Sequence, residues 1–309
     1  MWNPFSVFKL PRDFLVSFLR SQWMTLPYPT TDFTGETIIV TGSNTGLGQE
    51  AAQHFVALGA AKVILACRSM EKGESAKSKI EKVTKRSGVL EVWQVDLGSC
   101  ESVKQFCGKG RESTVTVNVV STFLMSLLLL PKLRADAVKY KITPRLAIVA
   151  SEAHEQAAFV EQSAPSIFAA LNDPMNQQDK YNLYKLLEVL VVRELAPAMT
   201  ASGKPRVTLN CLTPGFCHSE LMRNAPFSLK TLATLAKFFL ARTTEVGSRT
   251  LVSAAAAKED THGKYLANLQ IKEPSKWVGS EKGAETQVRA YKELLEILEG
   301  IEPGITGNI

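Results

Sequence analysis

The stretch "ETIIVTGSNTGLGQEAAQHFVALGA", residues 36–60, decides the fold class of this chain. Its first part is a run of β-branched residues that ends at Gly42, which is typical of a buried strand. Its second part places Ala51 and Phe55 on one helical face, and Gly59 follows where a helix end favours the left-handed conformation. We therefore predict a strand and a helix joined by a glycine-rich turn.

The same alternation of strand and helix continues along the chain. The predicted segments are, in order, "KVILACR", "SMEKGESAKSKIEKVTKRSG", "LEVWQVDLGS", "PRLAIVAS", "YNLYKLLEVLVVRELAPAM" (a helix that ends near Pro197), "RVTLNCLTPG", "TEVGSRTLVSAAAA" and "GKYLANLQI". Strands and helices at this spacing indicate an α/β protein with a doubly wound parallel sheet, the Rossmann fold.

Composition limits the class of protein further. The chain has 309 residues, 45% of them hydrophobic, which is enough apolar material for one large core. We expect a single domain at residues 35–309, after an N-terminal extension at residues 1–34. The five cysteines form no CxxC and the four histidines are scattered, so we expect no disulfide framework, no metal site and a reducing, cytoplasmic location.

The N-terminal segment "MWNPFSVFKLPRDFLVSFLRSQWM", residues 1–24, is apolar but interrupted by charges and proline. It is a poor match to a signal peptide, and no window of the chain reaches the length of a membrane span. Residues 1–23 are compatible with a short amphipathic helix. Such a helix either packs on its own domain or makes a peripheral contact with a membrane surface, and the sequence leaves both open.

The turn "TGSNTGLG", residues 41–48, has the features of a phosphate-binding loop. Glycines permit a tight turn, a close approach of the backbone to a pyrophosphate, and close packing of the next helix on the sheet. The N-terminus of that helix offers unpaired N–H groups and partial positive charge. We therefore expect a dinucleotide cofactor at this turn. The expected contact residues are Gly42, Ser43, Asn44, Gly46, Leu47 and Gly48.

The spacing GxxxGxG resembles the fingerprint TGxxxGxG of the short-chain dehydrogenase/reductase family. The resemblance extends from about Pro27 to Pro303 and is strongest to retinol-dehydrogenase-like members, particularly fungal ones. It implies an enzyme that interconverts a carbonyl and an alcohol on a small molecule with a nicotinamide dinucleotide. It leaves the oligomeric state open, a homodimer being one option.

The end of the second predicted strand, "ACRSMEKG", bears on the choice of cofactor. NAD-preferring members carry an acid there that bonds the ribose 2′-hydroxyl, whereas this chain carries Arg68, which suits a 2′-phosphate. We therefore expect NADP(H) to be preferred over NAD(H). The resemblance places Asp96 beside the adenine ring with the Leu97 backbone nearby, although Asp96 is also suited to cap the next helix.

Tyr181 and Lys185 form a YxxxK pair whose spacing puts both side chains on one face of a helix. A nearby ammonium stabilises a phenolate and lowers the pKa of a tyrosine from its usual value of about 10. Tyr181 would then exchange a proton with a carbonyl or an alcohol, and both residues would contact the cofactor. Ser151 ends a strand at the edge where ligands of this fold bind, so its hydroxyl can bond the same carbonyl.

The segment "LTPGFCHSELM" resembles the family's PGxxxT motif, which covers the nicotinamide carboxamide. Pro214, Gly215 and Ser219 take the motif positions, with Ser in place of Thr. In the family, the apolar segment that follows, here residues 224–243, forms a wall of the substrate pocket. Its apolar character favours a lipophilic substrate.

The stretch "FCGKGRESTVTVNVV", residues 106–120, departs from the family pattern. Members place a helix, a fourth strand ending in NAG and a return loop before the catalytic Asn, which matches Asn118 here. Only 22 residues lead from Asp96 to Asn118, NAG is absent, and a parallel crossover alone takes about a dozen residues or more. We expect a fold that lacks the fourth strand, as if a segment were lost, or one in which residues 113–120, "STVTVNVV", replace it.

Two functions follow from these residues. One is a working NADP(H)-dependent oxidoreductase for lipophilic small molecules, with fungal secondary metabolism as its setting by resemblance. The other is a catalytically defective relative that retains at most cofactor binding. Nucleic-acid binding is disfavoured despite the net charge of +6, because the basic segment 72–86 is interleaved with glutamates and lacks aromatic residues.

Overall fold

The computed structural model of the protein describes residues 12–107, 119–171, 180–218 and 240–309. Parallel strands alternate with helices along these ranges, as the sequence predicts. The strands are β1 (Thr37–Thr41), β2 (Lys62–Cys67), β3 (Leu90–Gln94), β4 (Arg145–Val149), β5 (Thr208–Thr213), β6 (Tyr265–Ala267) and β7 (Gln270–Ile271). The helices are α1 (Arg12–Gln22), α2 (Gly46–Ala57), α3 (Met70–Thr84), α4 (Cys100–Phe106), α5 (Val120–Tyr140), α6 (Ile167–Leu171), α7 (Lys180–Ala201), α8 (Thr244–Ala255) and α9 (Glu281–Ile301).

The strands form two sheets. The first has the order β1-β2-β3 and is parallel throughout, with Thr37 opposite Lys62 and Val63 opposite Leu90. The second has the order β4-β5-β6-β7, in which only β7 is antiparallel. Both sheets have helical crossovers, so the predicted α/β class and parallel, doubly wound architecture are confirmed.

In the described part of the chain, β1 and β4 are edge strands, each paired on one side only. They begin close together, since Arg145 Nη1 lies 3.3 Å from Oε1 of Glu36, directly before β1. Ile39 in β1 and Val149 in β4 are 38% and 39% exposed, although β2 buries all its residues from 63 to 67. The strand order of a Rossmann fold places the fourth strand beside the first, so the strand expected to be missing would lie between these two edges.

The helix after this interval begins inside the run that was expected to replace the fourth strand. Val119 is the N-cap of α5 and Val120 is already helical, so the last two residues of the run at 113–120 are not in a strand. Residues 108–118, and with them Asn118, lie outside the described residues.

Two apolar cores hold the sheets. One packs α2 and α3 on β1–β3 through residues such as Phe55 and Ile80, and the other packs α5, α7 and α9 on the second sheet. Helix α8 joins the two, because Val252 belongs to the first core while Ala254 packs with Leu212 of β5. The carboxyl ends of both sets of parallel strands are therefore held on a common framework.

Two local predictions differ from the structure, and one helix was missed. Helix α7 continues past Pro197 to Ala201, because Leu195 and Met199 are buried and packing outweighs the lost backbone hydrogen bond. The predicted closing strand is split into β6 and β7 by Asn268 and Leu269, which both have positive φ. The long helix α9 was not predicted.

The N-terminal extension contains helix α1, whose C-terminal end packs on the domain. Ser21 and Gln22 are buried, whereas Val16, Trp23 and Met24 are exposed. No helix in the described ranges combines the length and apolar character needed to cross a membrane. The division of the chain at residue 35 stays a prediction.

Candidate active site

The glycine turn joins β1 to α2 with the backbone geometry of a phosphate cradle. Gly42 and Gly46 have φ values of +65° and +59°, a conformation that favours glycine over other residues. A β-carbon at Gly48 would lie 2.7 Å from the carbonyl oxygen of Gly42, so a larger residue would push α2 away from the turn. These conformations agree with the geometry predicted for the three glycines.

The N-terminal end of α2 is suited to an anion. Its N-cap, Thr45, makes no side-chain hydrogen bond to the helix, and the first turn carries no acid. Ser43 is fully buried, and its hydroxyl has no hydrogen-bond partner among the described residues. Asn44 and Leu47 are half-buried beside it. Unpaired N–H groups, an unpaired hydroxyl and the space left by glycine fit the pyrophosphate of a dinucleotide.

Arg68 follows β2 directly, at the same edge of the sheet as the glycine turn. Its side chain is exposed, and its guanidinium has no hydrogen-bond or ion-pair partner within the described ranges. The carboxylate of Asp96, after β3, accepts a hydrogen bond from Gly98 N at 2.9 Å, while Ser99 caps α4. The alternative in which Asp96 caps α4 is therefore wrong. The side chain of Leu97 packs against the core.

Helix α7 carries Tyr181 in its first turn and Lys185 one turn later. Lys185 Nζ donates a hydrogen bond of 2.7 Å to the carbonyl oxygen of Val149, at the end of β4. The same ammonium lies 6.0 Å from the ring centroid of Tyr181, whose side chain is 40% exposed. The phenol is thus accessible from solvent and lies within the field of a fixed positive charge.

Ser151 lies two residues beyond Val149, at the carboxyl edge of the second sheet. Its Oγ accepts a hydrogen bond from Ala153 N at 3.2 Å, so the capping role considered from the sequence is present. Accepting this bond leaves the hydroxyl proton free to be donated to a ligand. Because Lys185 is bonded to Val149, the structure brings Ser151 and the Tyr181–Lys185 pair to one edge.

Lys185 has a second partner that the sequence analysis did not assign. Glu188, only 3% exposed, places its two carboxylate oxygens 2.9 and 3.0 Å from Lys185 Nζ. Burial raises the pKa of Glu188 to about 7, although the ammonium of Lys185 acts in the opposite direction. The spacing i, i+3 was the available signal, but only the structure shows that this carboxylate is buried.

The raised pKa predicts how stability depends on pH. Between its ordinary value of 4.5 and about 7, folded Glu188 keeps a proton that the unfolded chain has lost. Its contribution to the free energy of unfolding is thus complete below 4.5 and is lost as the pH rises through about 7. The loss amounts to at most about 3 kcal/mol.

Between pH 5 and pH 8, the free energy of unfolding should therefore fall less in Glu188→Gln than in the wild-type protein. Urea unfolding at several pH values measures this difference. Glu194→Gln, on the same helix, is the matched control, because Glu194 bonds Gln287 and not Lys185. An equal loss in wild-type protein and Glu188→Gln would contradict the assignment.

Pro214 and Gly215 follow β5 and lead into the predicted carboxamide loop. The hydroxyl of Thr213 accepts hydrogen bonds from Gly215 N at 3.1 Å and from Glu152 N at 3.2 Å. The loop is thereby tied to the residue next to Ser151. Ser219, predicted to contact the carboxamide, lies outside the described residues.

Helix α8 brings this loop to the glycine turn. A β-carbon at Gly247 would collide with Leu47 of the glycine turn and with Cys217 of the loop. The predicted phosphate site and the predicted carboxamide loop are therefore neighbours across a single helix. Within the described ranges, no group of three His, Cys, Asp or Glu side chains is placed to hold a metal ion.

Comparison with known proteins shows the family of this chain. Residues 36–147 match the model of the KR domain family. The short chain dehydrogenase/reductase dmxR8 of Cryptosporiopsis sp. is 44% identical, with 95% of this chain and 100% of the relative covered. The chain belongs to the short-chain dehydrogenase/reductase family. It is therefore an oxidoreductase of a family that uses NAD(P) and acts on small molecules.

Further relatives support the assignment. The short chain dehydrogenase atnD of Emericella nidulans is 44% identical over 82% of this chain and 91% of its own length. An L-sorbose reductase of Gluconobacter frateurii, solved with NADPH and L-sorbose, superposes with a TM-score of 0.53 over 78% of this chain and 98% of its own. At 17% identity, this structural likeness shows the Rossmann-type fold alone.

The alignment with dmxR8 also includes positions that this chain lacks. It runs over 328 aligned positions, more than the 309 residues of this chain. Part of the relative therefore has no counterpart here.

Proposed function

We propose that this short-chain dehydrogenase/reductase interconverts a carbonyl and an alcohol on a lipophilic small molecule with NADP(H). The observation that carries the proposal is the bond from Lys185 Nζ to the carbonyl oxygen of Val149. This bond fixes the YxxxK helix against the strand that leads to Ser151. An acid–base group, its activating cation and a polar anchor thus share one edge of the sheet.

The protein's own residues would divide the chemistry as follows. NADPH, held at the glycine turn, would supply the hydride that reduces the carbonyl carbon. Tyr181 donates its hydroxyl proton to the carbonyl oxygen, and the ammonium of Lys185 stabilises the resulting phenolate. Ser151 donates a hydrogen bond to the same oxygen and orients the substrate. Alcohol oxidation runs the same steps in reverse, and Asn118 would complete a proton relay through water.

The preference for NADP(H) rests on Arg68. An exposed guanidinium without a partner among the described residues, at the end of β2, suits a ribose 2′-phosphate and offers nothing specific to a 2′-hydroxyl.

Arg68→Ala should raise the dissociation constant of NADPH about tenfold or more while leaving that of NADH nearly unchanged, because a charge-assisted bond is lost from NADPH alone. Titration calorimetry with both cofactors measures this difference. Lys79→Ala, which removes an exposed charge from α3, is the control. Equal weakening of both cofactors would overturn the proposed preference.

The lipophilic character of the substrate is supported by the apolar sequence at 224–243. The setting in fungal secondary metabolism is supported by the fungal relatives. A peripheral membrane contact would use the exposed Val16, Trp23 and Met24 on and after α1, with Arg20 beside them. Flotation of the protein with anionic vesicles tests that contact.

The alternative, a catalytically defective relative, is favoured by one observation. β1 and β4 are edge strands in the described part of the chain, so the centre of the sheet lacks pairing there. Purified protein distinguishes the two functions. Soluble protein that binds NADPH and reduces members of a panel of hydrophobic ketones supports the enzyme. Protein that aggregates or does not bind NADPH supports the defective relative.

A further inference from the structure

Arg242 is a buried cation that joins three distant parts of the chain. It is 5% exposed, and burial lowers the pKa of its guanidinium. Its hydrogen-bond acceptors among the described residues are neutral oxygens rather than carboxylates. Its Nη1 donates to the carbonyl oxygen of Pro214 at 3.2 Å, and its Nη2 donates to Asn268 Oδ1 at 2.7 Å and to the carbonyl oxygen of Ser21. Ser21 belongs to α1, in the N-terminal extension.

The backbone of Arg242 is fixed to the same loop as its side chain. Its N–H donates a hydrogen bond to the carbonyl oxygen of Phe216 at 2.8 Å, and its own carbonyl oxygen accepts one from His218 N at 2.9 Å. A β-carbon at Gly215 would lie 2.8 Å from Arg242 Nη1, so the guanidinium packs directly on the turn of the loop. The loop after β5 thus has little freedom to move while Arg242 keeps its place.

The N-terminal helix is also connected to the other side of the site. Ser21 Oγ lies 3.3 Å from a carboxylate oxygen of Glu152 and 3.1 Å from Asn268 Oδ1. Glu152 is the neighbour of Ser151, and it is buried, as are Ser21 and Arg242. We call Ser21, Glu152, Arg242 and Asn268 the Arg242 cluster. Buried polar groups arranged in this way fix one geometry, because each unmade bond is costly.

We propose that Arg242 is a positioning residue through which the N-terminal helix α1 holds the loop at Pro214–His218 in the shape that meets the nicotinamide. The proposal rests on the proposed function for the identity of the ligand. It assigns the N-terminal extension a part in cofactor binding, in addition to packing on the domain.

The first test needs no cofactor. In Arg242→Lys, one ammonium nitrogen cannot occupy the positions of both Nη1 and Nη2, so the bonds to Pro214 and to Ser21 and Asn268 cannot all be kept. Amide hydrogen exchange in residues 215–218 of the full-length protein should therefore become about tenfold faster. Arg249→Lys is the matched control. Arg249 also bonds a backbone carbonyl near α1, that of Leu26, but its other partner is Glu245 rather than the loop.

Unchanged exchange in Arg242→Lys, or equal acceleration in both variants, would overturn the proposal. Ser21→Ala keeps Arg242 and its bond to the backbone carbonyl of residue 21, but it removes the hydroxyl that lies against Glu152 and Asn268. Because Asn268 is the other acceptor of Arg242 Nη2, this variant serves if Arg242→Lys does not fold. The same segment should then exchange faster than in wild-type protein, and no change would again count against the coupling.

The second test separates the loop from the rest of the cofactor site. Arg242→Lys should weaken NADPH binding about tenfold and leave the binding of 2′,5′-ADP, which lacks the nicotinamide, unchanged. Equal weakening of both ligands would refute a role at the nicotinamide. Wild-type protein that binds neither ligand would refute the proposed function instead, and the exchange result would still decide whether Arg242 positions the loop.

Discussion

Tyr181→Phe is expected to lower kcat by roughly 10²–10⁴-fold, because the variant loses the group that exchanges a proton with the carbonyl oxygen. The ring and its packing are retained, and Lys185 keeps its bonds to Val149 and Glu188. The dissociation constant of NADPH should therefore change little. Steady-state kinetics with a reducible hydrophobic ketone, together with cofactor titration, measures both quantities.

Tyr184→Phe is the matched control for this experiment. Tyr184 lies on the same helix, but it packs against the core, and burial raises the pKa of its hydroxyl rather than preparing it for proton transfer. Its replacement should leave kcat within about twofold. Comparable losses in the two variants would show that kcat responds to packing of α7, and Tyr181 would lose its assigned role.

Supplying the segment that the family places between the third strand and α5 is expected to give the second large effect. A chimaera that carries the corresponding residues of dmxR8 between Cys107 and Val119 would pair the edges of β1 and β4. Ile39 and Val149, now 38% and 39% exposed, would become buried. Burial of several apolar side chains at about 2 kcal/mol each should raise the midpoint of thermal unfolding by about 10 °C.

An insertion of equal length made of glycine and serine is the control, since it adds chain without a strand. Differential scanning calorimetry compares the three proteins. If the unmodified chain has the same midpoint of thermal unfolding as the chimaera and binds NADPH equally well, the inserted segment is not needed for stability or cofactor binding. If only the chimaera turns over, the chain as it stands is the defective relative.

The parts of the fold that could be predicted are those with local causes. Three glycines within seven residues predict the turn from β1 to α2. Each predicted strand is a short apolar run of sequence next to a segment with helical periodicity. Pro197 predicted a helix end, because proline lacks the N–H that a helix interior requires. The helix continues because its neighbours Leu195 and Met199 are buried in the core. The split after β6 depends on the positive φ of Asn268 and Leu269, which no periodicity reveals.

In the candidate site, too, features with local causes could be predicted and features that depend on distant contacts could not. Tyr181 and Lys185 are a visible pair because they share one helix, but the bond from Lys185 to Val149 spans 36 positions of the sequence. The Arg242 cluster was not foreseen, because Arg242 and Ser21 are 221 positions apart. Their meeting depends on where α1 packs. Long-range polar contacts of this kind leave no spacing in the sequence.

A crystal structure of the protein with NADP⁺ tests most directly whether Tyr181 and the glycine turn form one active site. We expect the pyrophosphate against Gly46–Gly48, the 2′-phosphate at Arg68, and the nicotinamide beside Tyr181, so that one carbonyl group could touch both the ring and the hydroxyl. A structure in which NADP⁺ occupies the glycine turn but its nicotinamide lies out of reach of Tyr181 would contradict this expectation.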